Sequence, residues 1–562
     1  MPEAPAAPPL RLRRVSPWWL RPGGAGGQVL LEAEPLPGGR TRVTLPAAGN
    51  GPASGEGPTL QAAALEAARA AGRGPAPAPE PAADGGPAWH ERLGWCTWNA
   101  FYQDVDEAKV TAGLEAWERA GLVPKTLILD DGWLDVRRFS DAEQNPGVRV
   151  NLALRSFDAD PAKFPGGLGP MIRRVKERFG VERVGVWHTL MGHWCGVDPE
   201  SDLGRRYGVR AVTARDTGMF VLPVVPDRGA VPADRISGFF HDWHARLASQ
   251  GVDFVKVDNG GSLVELCGPE EEQGFVAAYH AAVRASAAEH FGPGGLLPCM
   301  SMVPAAADAP DPGRSVFAFR NSDDFYPDKV HSHRQHVRDN AANALWTSGF
   351  ARPDWDMFYS RHPWAGYHAA ARAVSGGPVY VSDRVGESDP TLIRRLLDGD
   401  GRALVFDGPT EPLTLHGPFT VVRNRHERGA YAAETLGVFS AEEAAGPATA
   451  CPLPPTEPGE GSAEFRTDGG AGDHPDWELV HRVAYANGLA VFGWSDALCP
   501  PVTVRAVEAV GGDALRVTLR PPATDAARLL VAVEATGEVV RVAAGAEGTL
   551  RLDGGTPAWL DA

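Results

Sequence analysis

Between residues 89 and 400 the hydrophobic pattern repeats a strand-sized apolar run followed by apolar positions at helical spacing. The runs are Gly94 to Trp98, Lys125 to Asp130, Val184 to Leu190, Val252 to Asp258, Leu296 to Ser301, Val316 to Asp323, Asp354 to Phe358 and Pro378 to Asp383. After the first, Val110, Leu114 and Trp117 fall at i, i+4 and i+7, and after the seventh Tyr367, Ala370, Ala371 and Val374 form a similar stripe. Only the fifth-to-sixth connection lacks a clear helix. Strands that alternate with helices pair in parallel, and eight repeats predict an α/β fold, a (β/α)8 TIM barrel.

The flanks read differently. Residues 1–88 hold two partly apolar runs, Gln28 to Ala33 and Thr41 to Leu45, separated by Pro-Gly-Gly, which predict a short N-terminal β segment. From Pro52 to Pro87 the chain is rich in Ala, Gly and Pro. One helix-like stretch, Leu60 to Ala71, precedes a stiff linker that begins at Gly74. Residues 401–562 alternate Val and Leu with polar positions in Leu413 to Val422, Leu489 to Trp494, Val502 to Leu519 and Leu529 to Leu552, the pattern of an antiparallel β-sandwich domain. The Pro/Gly/Glu-rich stretch Gly446 to Gly472 predicts a long loop within it.

Composition narrows the class of partner. The chain has 562 residues and a formal net charge of −17, which argues against nucleic acid or an anionic membrane surface. A hydrophobic content of 43% with 16 Trp and 21 Phe supports large cores, while 66 glycines and 50 prolines leave room for loops and linkers. No apolar run reaches the roughly 18–20 residues of a membrane helix. The first residues, Met1 to Arg14, lack an apolar signal core, so the expectation is a cytoplasmic protein. Six cysteines without C-x-x-C pairs fit reduced structural thiols, Cys96 among them, better than a disulfide framework.

In a (β/α)8 barrel the chemistry lies at the C-terminal ends of the strands. Carboxylates gather there: Asp130 and Asp131, Asp258, Asp323 and Asp324, Asp354 and Asp356, and Asp383. Trp95, Trp98, Trp133, Trp187, Trp194, Trp355 and Trp364 lie near the same ends, and flat aromatic faces suit sugar rings. Paired carboxylic acids flanking a glycosidic bond are the apparatus of glycoside cleavage. Lys256 and Asp258 are two apart on a strand and share a face, so the ammonium is expected to depress the Asp258 pKa and keep a nucleophile ionised. The plain alternative is a buried Lys–Asp pair. Asp323 and Asp324 are adjacent like charges, which raises the pKa of one toward that of a general acid; an exposed pair capping the next helix is the alternative.

These blocks, in order, resemble the raffinose synthase and seed-imbibition branch of glycoside hydrolase family 36: Gly94-Trp-Cys-Thr-Trp-Asn99, Leu127-Ile-Leu-Asp-Asp-Gly-Trp133, Val186-Trp-His-Thr-Leu-Met-Gly-His-Trp194, Val255-Lys-Val-Asp258, Ser322-Asp-Asp-Phe325, Pro353-Asp-Trp-Asp-Met-Phe358 and Gly377-Pro-Val-Tyr-Val-Ser-Asp383. The resemblance implies a retaining α-galactosidase or α-galactosyltransferase that needs no cofactor or metal. It implies Asp258 as nucleophile and Asp323 as general acid/base, with Asp324 the one-residue alternative. Asp130, Asp131 and Lys256 would hold sugar hydroxyls, Trp95, Trp133 and Trp187 would form apolar walls, and the block with His188 would touch sugar. Plant members carry a longer N-terminal β domain. His193-Trp-Cys195 and Trp364-Ala-Gly366 depart from the family pattern on segments expected to meet the acceptor.

Other arrangements are weaker. His188, His193, Cys195 and Asp198, or His331, His333 and His336, could be assembled into metal sites, but the second set does not share one helical face. Arg320 would contact a hydroxyl or pair with Asp323 or Asp324, and Asp356 and Asp383 would touch substrate or hold loops. Trp117 and Trp346 sit in helical patterns and read as core. The leading expectation is a hydrolase that removes terminal α-galactosyl units from oligosaccharides of the raffinose or melibiose type through a galactosyl-enzyme ester, its two carboxyl groups about 5–5.5 Å apart. A galactosyltransferase using sucrose as acceptor is the alternative, and a catalytically silent sugar-binding protein a second. Exposed sandwich edges leave a homo-oligomer open.

Overall fold

The computed structural model describes residues 10–16, 19–22, 28–45, 52–73, 89–144, 146–213, 227–261, 263, 269–308, 311, 315–443, 447–453, 461–468 and 476–561. The linker expected from Gly74 to Pro87 lies outside them. At the N-terminus the strands Trp19–Pro22, Leu10–Ser16, Gln28–Leu36, Arg40–Leu45 and Ala53–Gly57 form an antiparallel sheet in that spatial order. Helix α1 (Leu60–Ala70) starts on Thr59, whose side chain accepts from the Ala62 N–H. The helix lies close on the sheet: a Cβ at Gly55 would come within 2.2 Å of the Ala67 nitrogen, so only glycine allows the contact.

Eight short strands form the barrel: β1 (Gly94–Cys96), β2 (Thr126–Leu129), β3 (Arg183–Thr189), β4 (Phe254–Asp258), β5 (Leu296–Pro298), β6 (Ala318–Arg320), β7 (Arg352–Asp354) and β8 (Tyr380–Val381). Six pair side by side in parallel in the order β5-β4-β3-β2-β1-β8. β6 pairs in parallel with β7, and a parallel bridge from Leu296 to Val316 joins β6 to β5. The ring closes where the Ser382 N–H meets the Phe358 carbonyl at 3.0 Å. The helices wrapped outside include α2 (Glu107–Arg119), α3 (Leu168–Phe179), α4 (Ile236–Ser249), α5 (Pro269–Phe291), α6 (Ser332–Thr347) and α7 (Ala365–Ser375). Val110, Leu114 and Trp117 are the buried stripe of α2, and Trp346 is buried on α6. Among the described residues between β5 and β6 the only helix is the five-residue Pro304–Asp308, as the weak pattern there implied.

Two expectations need correction. The seventh strand ends at Asp354 rather than starting there, because Asp356 adopts φ 70° and breaks the extended chain. The stretch read as one long loop contains a strand, Ser462–Asp468, which pairs antiparallel with Trp477–Ala484. The alternation Ala463, Phe465, Thr467 was hidden by flanking Gly and Pro.

The last part of the chain is antiparallel throughout. A five-stranded sheet (Glu411–Thr414, Phe419–Arg428, Tyr431–Ser440, Trp477–Ala484, Ser462–Asp468) packs toward the barrel through α6 and α7. A three-stranded and a four-stranded sheet enclose a separate apolar core around Phe492, Trp494, Leu515 and Leu530. No helix among the described residues is long and apolar enough to cross a membrane.

Candidate active site

The site follows from which face of each strand looks inward. In the parallel ladder Trp187 is level with Lys256, and His188 with Val257. Neighbours in register share a face, so Trp187, Lys256 and Asp258 enter the barrel while His188 leaves it. On β1 and β2 the same parity turns Cys96 and Asp130 inward and Trp95 outward.

Asp130 and Asp131 follow β2 at the floor of the mouth, each almost fully buried. Lys256 Nζ donates to Asp130 Oδ2 at 2.6 Å, and Cys96 Sγ approaches the same oxygen at 3.2 Å. Burial, the largest single effect, works against the Lys256 charge, but Asp130, together with the Cys96 and Cys299 side chains, keeps the ammonium pKa well above its usual value. Asp131 accepts from Gln103 Nε2 at 2.6 Å and Trp194 Nε1 at 2.8 Å, with His193 Nε2 3.2 Å from its other oxygen. Burial pushes its pKa upward, but His193 and these donors together hold it below the usual carboxylate value. Asp131 therefore stays charged, and both carboxylates keep lone pairs that could accept from a ligand's hydroxyls.

Asp258 ends β4. Trp187 Nε1 donates to its Oδ2 at 3.0 Å and the Asn259 N–H to its Oδ1 at 2.6 Å. Its pKa is not depressed as expected but raised to about 6: burial dominates, the charge of Asp324 adds to it, and Lys256 and Trp187 pull it only partly back. Lys256 is spent mainly on Asp130. Asp323 behaves as anticipated in direction. Burial first, and then the charge of Asp324, push it to about 7, although the Asp324 N–H donates to its Oδ1 at 2.8 Å and Tyr326 Oη at 3.3 Å.

Arg320 is fully buried and pairs with carboxylates. It donates to Asp324 Oδ1 at 2.5 Å and lies 2.7 Å from Asp356 Oδ1, while the Phe325 N–H donates to Asp356 Oδ2 at 2.7 Å. This triad ties the acid loop to the end of β7. Backbone strain collects here as well. Of the five non-glycine residues with positive φ among those described, Asn259 directly follows β4, and Met300 and Asp356 lie two residues beyond β5 and β7.

Three residues expected to touch substrate are turned to protein partners. Trp95 packs outward against Gly113 of α2, where a Cβ would stand 2.1 Å from its ring, and its Nε1 donates to the Asp383 carbonyl at 3.1 Å. His188 packs on Trp243 of α4, its ring nitrogens 2.8 Å from the Thr189 carbonyl and 3.3 Å from His244 Nε2. Asp383 spends both carboxylate oxygens on Ser360, accepting from its N–H at 2.6 Å and its hydroxyl at 2.5 Å. Trp133 is buried and donates to the Trp187 carbonyl at 2.8 Å, beyond the point where β2 stops pairing with β3. It supports the backbone of Trp187, whose indole reaches Asp258. His193, Trp194 and Asp356 lie at the mouth where the sequence placed them, while Cys96 and Gln103 belong to the site but were not expected to contact substrate. Cys96 was legible from its alternation with Trp95; Gln103 sits on an irregular turn and carries no local signal.

The candidate metal groupings disperse: Cys195 Sγ meets the Val150 carbonyl, Asp198 pairs with Arg137, and His333 Nδ1 lies 2.8 Å from His368 Nε2. Among the described residues, three possible ligands converge only at His241, Glu289 and His290, on the outer surface of α4 and α5.

With the carboxylate geometry in place, likeness to known proteins becomes informative. Residues 84–416 match the family described as raffinose synthase or seed imbibition protein Sip1. The chain belongs to this branch of glycoside hydrolase family 36. A probable galactinol–sucrose galactosyltransferase 6 of Arabidopsis thaliana is 36% identical over 341 residues, 57% of this chain and 44% of that protein. A galactinol–sucrose galactosyltransferase of Oryza sativa subsp. japonica is 35% identical over 350 residues, 56% of this chain and 43% of that protein. The chain thus matches less than half the length of these relatives. Among solved structures, a substituted family-36 α-galactosidase AgaA of Geobacillus stearothermophilus in complex with raffinose has a TM-score of 0.51 at 12% identity, covering 85% of this chain and 75% of that one. That likeness establishes the fold, a TIM barrel followed by a β-sandwich.

Proposed function

We propose that this family-36 member is a retaining α-galactosyl-transferring enzyme, moving a galactosyl unit from an α-galactoside to the hydroxyl of a second molecule. The observation that supports the reading is a pair of carboxyls beyond the ends of β4 and β6, Asp258 held by Trp187 and Asn259 and Asp323 by Tyr326 and the Asp324 N–H, both raised and the second further, to about 6 and about 7. Asp258, ionised and oriented by Trp187 and Asn259, attacks the anomeric carbon. Asp323, protonated, gives its proton to the departing oxygen. The resulting ester is then opened by an acceptor hydroxyl whose proton returns to Asp323. Asp324 is committed to Arg320, which favours Asp323 for the proton. Asp130, Asp131 and Lys256 would fix the galactosyl hydroxyls at the floor.

The names of the curated relatives favour transfer; water in place of the acceptor gives hydrolysis by the same steps, the reaction named for the structural neighbours. Incubation of the protein with galactinol and sucrose, followed by NMR, tests the proposal. A trisaccharide carrying a new α-galactosyl linkage is expected, abolished by Asp258→Ala and Asp323→Ala. Free galactose as the sole product would reduce the enzyme to a hydrolase, and no turnover of any α-galactoside would remove the assignment.

A further inference from the structure

Outside the barrel, three side chains from two neighbouring helices converge. His241 stands on α4, and Glu289 and His290 lie near the end of α5. His241 Nδ1 is 3.2 Å from Glu289 Oε2 and 3.3 Å from His290 Nε2, and the latter two atoms are 4.0 Å apart. Adjacent residues on a helix point about 100° apart and do not face each other, so Glu289 and His290 share a partner only because His241 comes from the helix alongside. The frame beneath is fixed. One turn after His241, the fully buried His244 packs on the rings of His188 and Phe291, and Phe291 directly follows His290. Core packing thus locks the backbones that carry both imidazoles. Side-chain exposures of 49% for His241 and 57% for Glu289, against 15% for His290, leave the cluster open to an ion from solution.

The donor set narrows what it can hold. At those separations one point lies about 2.1 Å from all three atoms, within the roughly 2.0–2.2 Å that zinc takes from imidazole nitrogen and carboxylate oxygen. Two imidazoles and one carboxylate suit a borderline cation, whereas calcium and magnesium take shells made mostly of oxygen. Zinc has no d-electron preference for one geometry and so tolerates the unequal spacing; three protein ligands leave its fourth position to water on the open side. A histidine–glutamate ion pair accounts for one imidazole only. The second ring nitrogen, 3.3 Å from the first, needs a shared proton or a shared cation.

We infer that His241, Glu289 and His290 form a zinc site that clamps α4 to α5. The two helices precede and follow β4 in the chain, so the clamp closes a span of 48 residues around the strand that carries Lys256 and Asp258. It stands apart from the galactosyl reading and takes no part in the transfer step. Ligands brought together only by the fold bind the ion in the native chain alone, so the binding free energy adds to stability.

The test uses the full chain, stripped with EDTA and dialysed. Cobalt serves as the spectroscopic stand-in, because a four-coordinate site gives it visible bands that zinc then abolishes by displacement. One equivalent of cobalt is expected to develop these bands, zinc to remove them, and zinc added to the stripped chain to raise Tm. His241→Ala and His290→Ala should each weaken zinc binding in calorimetry by at least about 10–100-fold, the range that loss of even an outer partner of a metal site brings, and should cancel the rise in Tm. Glu289→Gln changes the most exposed of the three and disturbs folding least; its Tm in EDTA should match that of the unaltered chain while its zinc affinity falls. Zinc affinity no tighter than millimolar overturns the inference and leaves an ion pair. Tight binding that all three variants retain overturns it as well, since the ion then sits elsewhere. Neither result touches the galactosyl assignment, which the galactinol and sucrose incubation reads separately.

Discussion

Asp258 must be ionised to attack and Asp323 protonated to assist, and the two requirements open only a narrow window. As pH rises through about 6, Asp258 loses its proton and kcat/KM climbs; as it rises through about 7, Asp323 loses its own and kcat/KM falls. A bell with its maximum between these values is the expected profile of the unaltered enzyme on an unactivated galactoside. A 4-nitrophenyl α-galactoside departs without acid help, so its descending limb should move to higher pH or disappear. With that substrate Asp323→Ala should regain turnover on addition of azide and yield α-galactosyl azide, because azide needs no general base. Asp324→Asn should show no such rescue, since its role is to hold Arg320. Rescue of Asp324→Asn instead would transfer the acid/base role to the neighbouring carboxylate. The sequence made the positions of these carboxylates legible, because strand-end acids stand out against apolar runs. It did not reveal their electrostatics: Lys256 is two residues from Asp258, but its ammonium is held by Asp130, which is 126 residues away in the chain.

At the level of elements, the distinction that sequence alone blurred was inward against outward on strands of only two to seven residues. Trp95 and Trp187 look alike as tryptophans near strand ends, but parity sends one to α2 and the other to Asp258, and parity becomes readable only once the ladder register is known. The helix side of that contact makes a prediction. Gly113→Ala would drive a methyl into the Trp95 ring, and the overpacking should cost about 1–3 kcal/mol, read as a lower denaturant midpoint with unchanged slope. Asp383, which braces the end of β8 against Ser360, gives a second. Burial raises its pKa to about 7 despite the Ser360 donors. The folded state therefore holds a proton that the unfolded chain has lost above about pH 4, so this residue removes stability progressively as pH rises from about 4 through 7. Asp383→Asn should flatten that part of the Tm-against-pH curve. An unchanged slope would mean that the carboxylate is already ionised in the fold.

Across the whole molecule the eight-strand rhythm was legible because the barrel repeats one unit, whereas contacts between barrel and sandwich leave no periodic trace. Helix α6 runs from just beyond Asp323 and Asp324 toward the five-stranded sheet. There Arg334 meets Asp476 at 2.7 Å, both side chains nearly buried, with the guanidinium also over Trp364. Beside it Tyr367 of α7 donates to the Ser440 carbonyl at 3.0 Å. Truncating one partner of a buried pair leaves a charge without its counter-ion, which typically costs about 3–5 kcal/mol. Asp476→Ala should therefore lower Tm far more than loss of an exposed pair such as Arg205–Asp202, although it lies far from the carboxylates in sequence. Because α6 starts close to the acid loop, the same change should also loosen Asp323. The expected signature is a larger fall in kcat for an unactivated galactoside than for 4-nitrophenyl α-galactoside, measured well below the new Tm. Equal losses for both substrates would show that the sandwich stabilises the barrel without positioning its acid.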